Sequence, residues 1–252
     1  MLLCGGTYLT DLSKLFHKGI GSEGGNSHRC SVEETEVNAA SPLRGKTVIF
    51  LGSSVTYGAG SKGESFVDFL EKADGIIPVK EAVSGTTLVD NCSRSYISRM
   101  KNIDRSIRAD AFVCQLSTND ASKDLPLGSI SQGTSLSDFD TSTVAGAIEY
   151  IIVYAKQTFG CPVMFYTGTR YESEKYAQMV LLLADIARKY EIHVLDMWNN
   201  EQLNQSVYGD FDFYMADGIH PLRAGYRLLW LPEFENSLQK LLFGDAVSDD
   251  KE

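Results

Sequence analysis

The stretch KTVIFLG (46–52) is continuously apolar, carries β-branched residues and is stopped by Gly52. Such a run suits a parallel strand covered on both faces, because neither side of it meets water. Downstream of it, strand and helix patterns alternate. Ser65–Ala73 has helical spacing, and IIPVKEAV (76–83) reads as a weaker strand. Pro78 cannot donate to a ladder, which puts that strand near a sheet edge. Arg94–Ile103 reads as a helix and ADAFVCQL (109–116) as a strong central strand. A polar loop fills 117–140, and loops that long inside a compact domain are functional or disordered. Thr143–Thr158 is helical, CPVMFYTG (161–168) a strand, Glu172–Tyr190 a long amphipathic helix and IHVLDMW (192–198) a fifth strand. Pro221–Phe243 reads as a final helix with proline near its first turn. The pattern predicts an α/β fold, a three-layer sandwich whose mainly parallel five-stranded sheet has helices on both faces. Ligands of such sheets bind outside the carboxyl ends of the strands, so functional residues should lie just after strands.

Upstream of Lys46 the composition changes. Leu9, Leu12, Leu15 and Phe16 suggest a short amphipathic helix, followed by a Gly/Ser/Asn-rich stretch, 19–27, and a polar segment to Leu43. Residues 1–45 are therefore expected to form an N-terminal appendage that packs on the domain or is partly disordered, 46–243 the domain itself, and 244–252 an acidic solvated tail.

Lys plus Arg number 23 against 33 Asp plus Glu, a net charge of −10 that repels phosphate backbones and anionic lipid. Nucleic acid and membranes are accordingly not expected as partners, and no run approaches the length needed to span a bilayer. The start, MLLCGGTYLTD, lacks the basic n-region and long apolar run of a signal peptide. The five cysteines, at 4, 30, 92, 114 and 161, are an odd number without C-x-x-C spacing. They suggest reduced thiols and a cytoplasmic setting, with Cys114 and Cys161 as small core residues.

Four segments satisfy the strand-end criterion. Gly52-Ser53-Ser54-Val55-Thr56 follows the first strand, Ser84-Gly85-Thr86-Thr87 the second and Ser117-Thr118-Asn119-Asp120 the third. Asp217-Gly218-Ile219-His220 follows the fifth after a loop and opens the last helix. Together they supply the groups that acyl transfer needs. A serine hydroxyl becomes a useful nucleophile when an imidazole accepts its proton. The imidazole needs a carboxylate on its other nitrogen to fix its tautomer, and D-x-x-H spacing can place both side chains on one side of a helical turn. Ser54 is thus the candidate nucleophile, His220 the base and Asp217 its orienting group. The N–H groups of Ser54 and Gly85 and the Asn119 amide are candidate oxyanion donors, each worth roughly a hundred- to a thousandfold in rate. His220 must be neutral to act, so activity should rise with pH through a single ionisation.

In this order and spacing the four blocks resemble the SGNH (GDSL-type) hydrolase family over roughly residues 46–243. The resemblance implies a flavodoxin-like sheet of five parallel strands, esterase or acylhydrolase activity, and no metal or organic cofactor. It assigns Ser54 from GSSVT, Gly85 from AVSGTT, Asn119 from STND, and Asp217 with His220 from DGIHP. There are two departures: Ser53 stands where the family has aspartate, and Ser117 where it has glycine.

Competing readings exist for several of these residues. Asp196 and Asp120 are rivals of Asp217 and read as structural hydrogen-bonding groups. His193 begins a strand and reads as a packed or edge residue, and His17 and His28 lie in the N-terminal region. Gly58-Ala59-Gly60-Ser61-Lys62-Gly63 matches G-x-G-x-x-G, but it starts six residues after Gly52 and so reads as a flexible loop beside the serine rather than a dinucleotide fingerprint. The α/β-hydrolase elbow G-x-S-x-G is absent, since Thr56 occupies its last glycine. Arg170 and Tyr171, after strand four, are candidate substrate-binding residues, Trp198 after strand five is a candidate pocket-lining residue, and Tyr208, Phe211, Phe213 and Tyr214 are rim or core aromatics. The expected substrate is a small-molecule or carbohydrate ester carrying a short, acetyl-like acyl group. Lysophospholipase or thioesterase activity, or a non-catalytic binder on this scaffold, are the alternatives; the oligomeric state stays open.

Overall fold

Residues 24–244 are described by the structure, a computed structural model. The expected helix around Leu9–Phe16 and the acidic tail beyond Gly244 lie outside the described residues. Strands β1 (Thr47–Gly52), β2 (Ile77–Ala82), β3 (Ala111–Gln115), β4 (Val163–Tyr166) and β5 (His193–Leu195) form one sheet, ordered β2-β1-β3-β4-β5. Every neighbouring pair is parallel. Chain direction across the sheet reverses between β1 and β3, which opens a crevice at their carboxyl ends.

The helices are α1 (Ser54–Tyr57), α2 (Phe66–Asp74), α3 (Tyr96–Met100), α4 (Thr118–Ser122), α5 (Val144–Phe159), α6 (Glu174–Tyr190), α7 (Glu201–Gly209), α8 (Phe211–Tyr214) and α9 (Leu231–Phe243). Successive strand residues point to opposite faces, and this splits the core in two. Ile49, Leu51, Phe112, Cys114, Val163 and Phe165 pack with α3, α5 and α6. Val48, Phe50, Ala111, Val113, Met164 and Tyr166 pack with α2 and α9, around Phe66, Trp230 and Phe234. The continuous apolar reading of β1 and β3 therefore reflects burial on both faces. Cys114 and Cys161 are buried, and Pro78 sits in the edge strand β2.

Three elements differ from expectation. The final helix starts later than Pro221, which forms an antiparallel bridge with Met215; the chain then enters a helical turn at Arg223 and a π-turn over Tyr226–Trp230. Residues 201–214, read as a loop, form α7 and α8, with Asn200 Oδ1 accepting from Leu203 N–H at 3.0 Å as an N-cap. The helix expected from Arg94 is cut to α3 because Ser95 caps it. The long polar loop is pinned rather than loose. The fully buried Glu149 accepts from Lys189 Nζ (2.7 Å) and Ser131 N–H (2.9 Å), and Lys189 also donates to the Ser131 and Gly133 carbonyls.

Of the expected appendage, residues 24–44 pack on the sheet domain: Leu43 and Cys30 are fully buried, and Ser41 Oγ donates to Asp74 at 2.6 Å. Asp74, at the end of α2, faces Glu235 of α9. Burial, then the nearby Asp74 charge, push the Glu235 carboxyl up to about 8. The folded protein thus holds a proton that the unfolded chain releases near pH 4.5, so this contribution to stability is full below that pH and is lost as pH rises through about 8. Glu235→Gln should flatten the fall in Tm between pH 6 and pH 9. Equal Tm slopes for variant and wild type would refute the assignment.

Candidate active site

The crevice is floored by a buried polar network. Gln115, the last residue of β3, points its Oε1 at the turn after β1. There it accepts from Ser53 N–H (2.9 Å), Thr56 Oγ1 (2.8 Å) and Thr56 N–H (3.3 Å). Thr56 Oγ1 is also 2.7 Å from the Tyr166 hydroxyl. Gly52 is required at the bend, since a Cβ there would lie 1.7 Å from Thr56 Oγ1. With every member buried and bonded, the network fixes the backbone from which Ser54 projects. Ser53, one of the two departures, is fully buried and offers a hydroxyl where Gln115 presents an oxygen.

Arg99 of α3 supplies a second clamp. Only 7% exposed, it donates to the Gly52 carbonyl (2.8 Å), the Glu81 carbonyl (2.9 Å) and carboxylate (3.0 Å), and Thr86 Oγ1 (3.1 Å). It therefore ties the ends of β1 and β2 to the loop that carries Gly85. Asp120, buried at the start of α4, accepts from Leu88 N–H (2.9 Å) and Val89 N–H (3.0 Å), holding the same loop from its other end. Burial raises its carboxyl above the usual range although those bonds oppose it. Asp196 accepts from Asn199 and, across 29 positions, from Thr167 Oγ1.

Against this frame the structure brings Ser54, His220 and Asp217 together. His220 Nε2 lies 2.8 Å from Ser54 Oγ, and His220 Nδ1 lies 2.9 and 2.8 Å from the two Asp217 oxygens. The D-x-x-H segment is not helical, contrary to expectation. Asp217 Oδ1 accepts from Ile219 N–H (2.8 Å) and His220 N–H (2.9 Å), closing a bend that presents the imidazole. Burial works against ionisation of Asp217, but these N–H bonds and the imidazole outweigh it and hold the carboxyl below its ordinary value.

Asn119 and Gly85 flank the serine side. Asn119 Nδ2 donates to the Thr86 carbonyl at 3.0 Å, leaving its second amide hydrogen for a ligand. Gly85 has φ +79°, a conformation that favours glycine. Ser117, the other departure, has φ −73°, open to any residue, and its hydroxyl accepts from Asn119 N–H at 3.2 Å and so caps α4. Serine there costs no backbone strain.

Arg170 and Tyr171 line a cavity of about 510 Å³ with Glu172, Tyr208, Phe211 and the 217–219 segment. The Tyr208 hydroxyl donates to the Arg170 carbonyl at 2.8 Å, which sets its half-exposed ring as one wall. Phe213, Tyr214 and Trp198 are core residues, and His193 is half-buried against Ser237. Gln115 and Arg99 were not singled out from sequence. A polar residue ending the apolar run of β3 was the one available signal, because buried polar groups need partners. Among the described residues, no cluster of three or more His, Cys, Asp or Glu is placed to hold a metal ion.

A doubly wound parallel sheet with a serine, a histidine and an aspartate in one hydrogen-bonded chain at its switch point is an arrangement suited to acyl transfer. The profile of the GDSL-like lipase/acylhydrolase family matches residues 50–228, and the chain belongs to that family, whose enzymes act on ester bonds. Similar solved structures include a protein from Lactobacillus plantarum (19% identity, TM-score 0.64, covering 79% of this chain and 97% of that one). A member of the lipolytic protein G-D-S-L family from Veillonella parvula (16%, 0.58, 78% and 100%) and an acetyl xylan esterase (14%, 0.56, 76% and 99%) are also similar. At these identities the likeness is one of fold. No curated protein matches the chain in sequence. Among the described residues no helix is long and apolar enough to cross a membrane.

Proposed function

We propose that the protein is a serine esterase that removes a short, acetyl-like acyl group from a polar or carbohydrate alcohol through an acyl-enzyme on Ser54. The observation that carries this reading is the continuous bonding from Ser54 Oγ to His220 to Asp217. His220 Nε2 takes the hydroxyl proton as Ser54 Oγ attacks the ester carbonyl, and Asp217 stabilises the imidazolium so formed. Negative charge then developing on the carbonyl oxygen is met by the N–H groups of Ser54 and Gly85 and the Asn119 amide. As the tetrahedral intermediate collapses, His220 returns the proton to the leaving alcohol. Water, deprotonated by the same imidazole, releases the carboxylic acid and restores Ser54.

The cavity is lined by Asp217, Gly218 and Ile219, the segment leading into His220, so it is assigned the alcohol half of the ester. Tyr171, Tyr208 and Phe211 offer ring faces, while Arg170 and Glu172 offer a donor and an acceptor for hydroxyls. This mixture suits a polyhydroxylated ring. The pinned polar loop 123–143 adds no long apolar lining for an acyl chain. Residues 46–243 are taken as the hydrolase domain, and the thiols of Cys92, Cys114 and Cys161 support a reducing, cytoplasmic setting.

A fluorophosphonate probe should label Ser54, located by peptide mapping, and p-nitrophenyl acetate should be hydrolysed with higher kcat/KM than the octanoate. Octanoate preferred over acetate overturns the short-acyl reading in favour of a lysophospholipase or thioesterase. A wild-type protein that neither reacts with the probe nor turns over any ester is a binder on this scaffold.

A further inference from the structure

The imidazole and the serine hydroxyl are 166 positions apart in the chain, and their 2.8 Å contact holds only if the two loops that carry them keep a fixed separation. A third segment, lying before the family match begins at residue 50, joins these loops. Asn26 Nδ2 donates to the Gly60 carbonyl in the loop after α1 at 2.8 Å, and Asn26 Oδ1 accepts from Arg223 N–H at 3.1 Å, three residues past His220. The Asn26 carbonyl accepts from Arg223 Nη1 (3.3 Å), and the Gly25 carbonyl accepts from Ala224 N–H (2.9 Å). Arg223 Nη2 pairs with Glu64 Oε1, and Glu64 Oε2 accepts from Val32 N–H at 2.9 Å, which closes the ring.

The contact is intimate as well as polar. A Cβ on Gly25 would stand 1.8 Å from the Phe213 carbonyl oxygen. One on Gly60 would stand 2.7 Å from the Pro221 carbonyl oxygen and 3.0 Å from His220 Cβ. The serine-side loop thus rests directly on the histidine segment, with Asn26 bonded to both. Expected from sequence to be a flexible glycine loop, 58–63 is instead one wall of this ring.

We propose that residues 24–32 are a positioning strap, with Asn26 as its clasp and Arg223 as its anchor, which sets the distance between the Ser54 and His220 loops. This rests on the reading of Ser54 and His220 as nucleophile and base. Asn26 touches no reacting atom and acts through the two loops. A displacement of about 1 Å at a reacting pair costs roughly a hundredfold in rate, and partial slackening should cost less.

The test uses the full chain carrying Asn26→Ala, with His28→Ala as control. His28 bonds outward to Glu33 and Glu34 and to neither loop. Asn26→Ala should slow fluorophosphonate labelling of Ser54 about tenfold and lower kcat by a similar factor, with KM changed less than twofold. It should also speed hydrogen exchange in 58–64 and 216–224 together, while His28→Ala matches wild type in every readout. Labelling of the folded variant at the wild-type rate, with only Tm lowered, would overturn the strap and leave the proposed function standing. Wild-type protein that is not labelled at Ser54 overturns the proposed function and the strap with it. Faster exchange in one loop alone also overturns the strap, because a tie must slacken at both ends.

Discussion

Ser54→Ala is expected to lower kcat by about 10⁵-fold or more while leaving the circular dichroism spectrum and Tm close to wild type. The size follows from the loss of covalent catalysis as a whole: without the hydroxyl, the imidazole has nothing to activate and the residual rate comes from oxyanion donors and binding. The fold should survive because the side chain is a small part of its surroundings. Among the described residues Ser54 Oγ bonds His220 alone, whereas the turn is held through Ser53, Thr56 and Gln115 and through the Tyr226 hydroxyl on the Val55 carbonyl at 2.6 Å. His220 keeps both Asp217 bonds in the variant. Steady-state hydrolysis of p-nitrophenyl acetate, with fluorophosphonate labelling beside it, measures the effect. Activity within a hundredfold of wild type would move the nucleophile elsewhere.

The placement of Ser54, Gly85 and Asn119 at the carboxyl edge of the sheet was legible in the sequence because each lies shortly after a strand, and β1 and β3 announce themselves by being apolar on both faces. In a parallel sheet that position alone puts a residue at the ligand-binding edge. Asp217 and His220 were legible as a pair, though for a different reason from the one that holds in the molecule. Spacing of three suggested a helical turn, but the pair meets because Asp217 accepts two backbone N–H groups in a bend. What the sequence could not display is the support. Arg99 reads as one cation on a short amphipathic helix, yet it bonds three segments whose adjacency exists only after β1 and β2 pair. Asn26 sits in a Gly/Ser-rich stretch that composition marks as loose. Its bonds to Gly60 and Arg223 span 34 and 197 positions, a range at which no local pattern operates.

Asp217→Asn should reduce kcat/KM by about 10³-fold near neutral pH, and the reason is a proton in the wrong place. Asp217 Oδ1 accepts the Ile219 and His220 N–H groups, so an asparagine must keep its oxygen there and set its NH2 where Oδ2 faces His220 Nδ1. The amide then donates to Nδ1, the ring proton moves to Nε2, and Nε2 can no longer accept from Ser54 Oγ. A buried orienting aspartate is worth about 10⁴. Asp217 has a side chain 58% exposed, so water competes for Nδ1 and the loss should be smaller. Hydrogen bonds hold the Asp217 carboxyl below its ordinary value, so it stays ionised from pH 5 to 8 and adds no step there. A variant within tenfold of wild type would remove Asp217 from its assigned role.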